Sequence, residues 1–141
     1  MTAAYSFESN HFEIKIIRSA QGPVIFRLHE DTLKTIVYSG GEGYDWGKIK
    51  KNKTIRLNSK KYSEVLKVKS KIDLRDIKEL DRVREDGSTW EVKILSIQDA
   101  TKALISSPTI NPDTRNLNDV IEIVRLLARY SNNHELLKNL Y

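Results

Sequence analysis

His11, His29 and His134 are the three imidazoles of the chain. No two of them lie three to five residues apart, the spacing that lets side chains of one helix or turn share a metal ion. Single histidines at a strand start, a strand end and a tail read as surface residues. The absence of cysteine excludes disulfides, thiolate zinc sites and a cysteine nucleophile. Ser19, Ser39, Ser88, Ser96 and Ser131 lack the context of a nucleophile elbow. The carboxylates of Glu30-Asp31, Glu79 and Asp81, and Glu85-Asp86 flank turns or helix ends, where acids are ordinary, and so make a poor glycosidase-like pair. Acid/base chemistry by glutamate and lysine would need a pocket joining Glu42, Asp45 and a desolvated lysine. The residues therefore point away from an enzyme and call for no cofactor and no metal ion.

Two stretches remain that bear on binding. The segment 40–47, GGEGYDWG, holds four of the six glycines together with Tyr44 and Trp46. It fails as a phosphate cradle, because no Lys-Ser/Thr pair and no helical period follow the glycines. It reads as a wide hairpin connection whose Tyr44 or Trp46 folds back onto the core, or as an exposed aromatic contact loop. The second stretch is basic. Residues 48–84 carry 14 lysines and arginines against 5 acids, whereas residues 1–47 and 85–141 are each net negative by 2. One quarter of the chain thus holds the whole excess behind the net charge of +5. Lys48, Lys50, Lys51, Lys53, Arg56, Lys60 and Lys61 lie close in sequence to Tyr44 and Trp46, and cations beside aromatics suit single-stranded nucleic acid. Against that, lysine outnumbers arginine, acids interrupt the run and no nucleic-acid module pattern is present. A solvated lysine face, a protein contact and a nucleic-acid contact all stay open.

The elements that must position these residues follow from period. Trp90, Val92 and Ile94 alternate with Thr89, Glu91 and Lys93 after the turn pair Asp86-Gly87, which predicts a half-buried antiparallel strand with Trp90 at the hub of the core. Phe12, Ile14 and Ile16 predict a first strand, Val24, Phe26 and Leu28 a second, residues 33–38 a third and residues 54–57 a fourth. Asn58 or Ser59 caps a helix with Tyr62, Val65 and Leu66 on its apolar side. Asp73 caps a shorter helical piece through Leu80. Residues 101–106 form a return strand, and Pro108 and Pro112 bracket a loop. The clearest helix carries Leu117, Val120, Ile121, Val124, Leu127 and Ala128 on one stripe, with Asn116 or Asn118 as its cap. A final turn or two follows through Leu136, Leu137 and Leu140.

At 141 residues and 39% apolar composition the chain is long enough for one packed core. The prediction is a single α+β domain over residues 1–141, with residues 1–10 a partly ordered lead-in. A mainly antiparallel sheet of five or six strands packs against two or three helices, with those at 59–70 and 116–130 on one face. No run approaches the roughly 20 apolar residues of a membrane span. The N-terminus has neither a basic start nor an apolar core segment, so the expected location is cytoplasmic.

The order of strands, helical middle, DGSTW strand, short return strand, proline loop and leucine-rich helix resembles a known family. It is similar to the small cytoplasmic immunity proteins encoded beside bacterial contact-dependent inhibition toxins and related polymorphic toxins. The residues that carry the likeness are Asp86-Gly87-Ser88-Thr89-Trp90-Glu91-Val92, Ser107-Pro108 and residues 116–127. The resemblance implies a non-enzymatic binder that occludes the active site of one cognate toxin, and it transfers no site residues. Immunity proteins against nucleases are often acidic, so a basic chain implies a toxin with an acidic contact surface, or a contact away from residues 48–84. On this reading Tyr44 and Trp46 are the candidate anchors, and Lys50, Lys51, Lys53, Lys60 and Lys61 steer the encounter. The alternative is a small basic nucleic-acid-binding protein.

Overall fold

The computed structural model describes residues 11–18, 21–42, 45–78, 88–95, 100–106, 108 and 112–138. Strands β1 (His11–Ile17), β2 (Val24–His29), β3 (Thr32–Tyr38) and β4 (Ile49–Arg56) come first, followed by helix α1 (Ser59–Lys69) and a 3-10 turn at Leu74–Asp76. Then come β5 (Thr89–Leu95), β6 (Ala100–Ser106), α2 (Asn118–Tyr130) and the short α3 (His134–Lys138). The six strands form one sheet in the order β4-β3-β2-β1-β5-β6, and every neighbouring pair is antiparallel. The fold is α+β, as predicted.

Alternation sets the two faces. Phe12, Ile14 and Ile16 of β1 stand opposite Leu28, Phe26 and Val24 of β2 and opposite Ile94, Val92 and Trp90 of β5. A one-residue slip of either pairing would turn these apolar sets to the other face, so burial specifies the register. Trp90 is 2% exposed and lies between Ile16 and Ile105. Against this face α2 presents Val120, Ile121, Ile123, Val124, Leu126, Leu127 and Ala128, all buried. The chain leaves the β4 edge as α1 and reaches β5 beside β1, and Leu66 and Lys69 at the end of α1 line a hollow with Ile72 and Ile94.

Several expectations are narrowed or corrected. The fourth strand begins at Ile49, so Lys50, Lys51 and Lys53 lie within it. Pairing with β3 supplies the ladder, and an edge strand tolerates lysine. Asn58 is the cap of α1, its side chain accepting from the Lys61 amide at 2.8 Å. The helical piece after Asp73 is a single 3-10 turn, and Ile77 is already extended; Leu80 lies outside the described residues. Its backbone is held by the 112–116 loop: the Lys78 amide donates to the Arg115 carbonyl, and Asn116 Nδ2 donates to the Asp76 carbonyl. For the same reason Asn116 does not cap α2. It adopts φ 61, and Leu117 takes the cap position with no side-chain bond. The turn pair Asp86-Gly87 and Leu140 lie outside the described residues.

Candidate functional site

The helices cover one face of the sheet, and among the described residues no helix lies on the other. Side chains directly opposite each other in antiparallel strands are near neighbours, so the register assembles rows across this open face, which is exposed at Lys102 and Leu104 but closed over Ile25 and Ile36, 3% and 6% exposed. One row runs Thr54, Lys34, Arg27, Glu13, Lys93, Lys102 from β4 to β6. The next runs Asn52, Ile36, Ile25, Lys15, Glu91, Leu104. Lys34 therefore stands opposite Arg27, and Lys93 opposite Lys102. Like charges directly opposite cost stability, by up to about 1 kcal/mol each.

The two carboxylates of these rows lie low among the cations. Glu13 accepts from Arg27 Nε at 2.8 Å and has Lys15 Nζ at 3.8 Å. Glu91 has Lys102 Nζ at 3.3 Å and Lys93 Nζ at 3.6 Å. The side chains of Glu13 and Glu91 are 14% and 15% exposed, against 43% for Arg27 and 53% for Lys102. Burial pushes the Glu91 carboxyl up, but the hydrogen bond from Lys102 and the charges of Lys15, Lys102 and Lys93 outweigh it and hold the group below its usual range. The acids thus anchor the stems while the cationic tips stand outward. Arg56 adds a further cation at the β4 edge, 82% exposed and bonded to Asp31 at 2.9 Å. Leu104 is 52% exposed in the middle of β6. At the lower end of the face the His11 and His29 rings meet edge-on at 5.5 Å.

The residues singled out from sequence divide into separate groups. Trp46 is half-buried and packs edge-on against Tyr38 with ring centroids 5.0 Å apart, within the β3–β4 connection. Tyr44 lies outside the described residues. Lys50 and Lys51 line one groove with Arg18 and His134. Lys53 stands opposite Thr35 on the helix-covered side of the sheet. Lys60 and Lys61 lie in the first turn of α1, which contains no acid, although the positive end of the helix dipole disfavours cations there. Lys61 Nζ lies 5.3 Å from the centroid of the Tyr130 ring, and the Tyr130 hydroxyl donates to Glu64 Oε2. The length of β4, roughly 20 Å, separates Lys50 from Lys60.

A pocket joining Glu42, Asp45 and a desolvated lysine is not what the fold builds. Asp45 Oδ1 accepts from the Gly47 amide inside the connecting loop. The lysine whose ammonium burial pushes down is Lys69, which lines the hollow with Ile94 at the opposite end of the sheet.

Sequence reasoning missed the cations of the open face, because Lys15, Arg27, Lys34, Lys93 and Lys102 come from segments that are net negative. Their outward alternation was the available signal. Arg115, 4% exposed, gave none; its guanidinium donates to the carbonyls of Lys78 and Ser106 and ties the loop before α2 to the end of β6. Comparison with known protein families and with curated proteins finds no match to this chain. Among the described residues no helix is long and apolar enough to cross a membrane.

Proposed function

We propose that this chain is a non-enzymatic binding protein that neutralises a protein toxin by covering it, with the open sheet face as the main contact and an acidic surface as its target. One observation carries the reading. Lys34 faces Arg27 and Lys93 faces Lys102 in direct register, and because Glu13 and Glu91 are each shared between cations, the face keeps an excess of positive charge that gains value when opposite charge arrives. The exposed Leu104 on the edge strand β6, two residues from Lys102, offers an apolar contact beside the cations, which suits a protein partner. The resemblance of the layout to the small immunity proteins supports the same reading, and a cytoplasmic location is part of the proposal.

Nucleic acid is less well supported. The aromatic that alternates onto this face, Tyr38, lies at the end of β3 with its ring packed against Trp46, away from the central rows of cations where bases would stack.

The test is protection. The C-terminal domain of the protein encoded immediately upstream is produced in a bacterial host with and without this chain. Growth arrest relieved by the native chain, and not by a folded Lys34→Glu/Lys93→Glu variant, supports the reading. Arrest that the native chain leaves untouched overturns it.

A further inference from the structure

Lys50 and Lys51 take on a specific role once the end of the sheet is considered. Where β1 and β3 finish and β2 and β4 begin, a groove of about 580 Å³ runs between the strand ends and the junction of α2 with α3. Consecutive residues of a regular strand point to opposite faces, yet Lys50 and Lys51 both line this groove. The β3–β4 pairing is irregular at this point: Val37 pairs with Lys51 and Tyr38 with Ile49, so Lys50 is the extra residue of a bulge. Bulges re-aim side chains, and they recur beside functional sites.

The opposite wall is built as specifically. A Cβ on Gly22 would lie 1.6 Å from the Tyr38 carbonyl oxygen, so only glycine lets the β1–β2 turn rest on the end of β3. Gly40, at φ 79, approaches the same turn, and its Cβ would meet the Gly22 nitrogen at 2.5 Å. This contact holds Arg18 over the groove, where Arg18 NH2 donates to the Gly22 carbonyl at 2.8 Å and NH1 to Glu135 Oε1 at 3.0 Å. The Arg18 side chain is only 12% exposed, and its Nε is buried with no hydrogen-bond partner. A buried donor left unmade costs about 1–3 kcal/mol, so this guanidinium is not saturated by the fold.

Among the described lining residues Glu135 is the one acid, and it is engaged by Arg18. Arg18, Lys50 and Lys51 therefore leave the groove positively charged, with the amides of Gln21, Asn132 and Asn133 as neutral partners along its walls. We infer that the groove binds a carboxylate, supplied as an aspartate or glutamate side chain of the protein partner. A singly charged oxyanion suits this site better than a phosphate dianion, because the Glu135 carboxylate already lies within it. The inference rests on the partner being a protein, and it adds an anchor at the sheet end to the contact made by the open face.

The test needs no knowledge of the partner. The Nε–H resonance of Arg18 is followed by NMR while a blocked glutamate-containing hexapeptide is added at constant ionic strength. The same peptide with glutamine in place of glutamate, sodium chloride and inorganic phosphate serve as comparisons. A saturable shift with the glutamate peptide, weakened about fivefold or more in Lys50→Ala/Lys51→Ala, supports the site. The double variant is the informative one, since Arg18 also ties Gly22 to α3 and its loss disturbs the fold. A response that does not saturate, that the glutamine peptide or chloride reproduces, that persists in the double variant, or that phosphate elicits more tightly overturns it. Lys34→Glu/Lys93→Glu should leave this titration unchanged, so the groove and the toxin-neutralising reading can fail separately.

Discussion

Lys34 lies directly opposite Arg27 across the β2–β3 pair, with Thr54 on its other side. The fold gains nothing from placing these two cations together, since Arg27 is already bonded to Glu13. Lys34→Glu should therefore raise stability by about 0.5 to 1 kcal/mol, read as a higher urea midpoint at unchanged slope. The same substitution should weaken partner binding. A variant that is both less stable and a poorer binder would mean that Lys34 serves the fold.

Tyr130 joins the two long helices through its hydroxyl, bonded to Glu64, and its ring, under Lys61. Burial first, and then the Glu64 carboxylate, push the phenol up to about 12. The chain has six tyrosines, and ultraviolet titration should find one ionising well after an ordinary phenol, absent in Tyr130→Phe and restored towards 10 in Glu64→Gln. The folded value lies above the unfolded one, so this group's stabilisation is whole below pH about 10 and is lost as pH rises towards 12. Tyr130→Phe should flatten that alkaline decline.

His11 responds in the opposite direction. Burial, then the neighbouring His29, lower its pKa from 6.5, with Arg27 and Lys69 acting the same way and Glu13 opposing them. The folded chain thus favours the neutral ring. The contribution is present above pH 6.5 and is lost as pH falls through the lower folded value. Relative to His11→Gln, the native chain should lose stability between pH about 7 and 5, measured by chemical denaturation at each pH. Parallel curves for the two proteins would contradict this.

The inward faces were legible in the sequence because burial acts on alternate residues within one strand: Phe12, Ile14 and Ile16, or Trp90, Val92 and Ile94, declare themselves locally. The stripe of α2 declares itself for the same reason. The open face was half legible. Lys15, Arg27 and Lys93 alternate outward in plain view, but that Lys93 would meet Glu13 depends on β5 pairing with β1, a contact across more than seventy residues that no local period encodes. Charge counted along the chain pointed instead to residues 48–84, whose lysines the fold distributes among the β4 edge, the groove and the start of α1. The short helix expected after Asp73 failed because Arg115 and Asn116, some forty residues on, take the backbone bonds it would have used.

The direct measurement is the association rate between this chain and the domain encoded beside it, taken at several salt concentrations. The native chain should associate fast at low salt and slow steeply as salt screens the face. Lys34→Glu/Lys93→Glu should associate at least tenfold more slowly at low salt, with a nearly flat salt dependence. Equal rates and equal salt slopes for the two proteins would contradict the assignment of the open face as the contact surface.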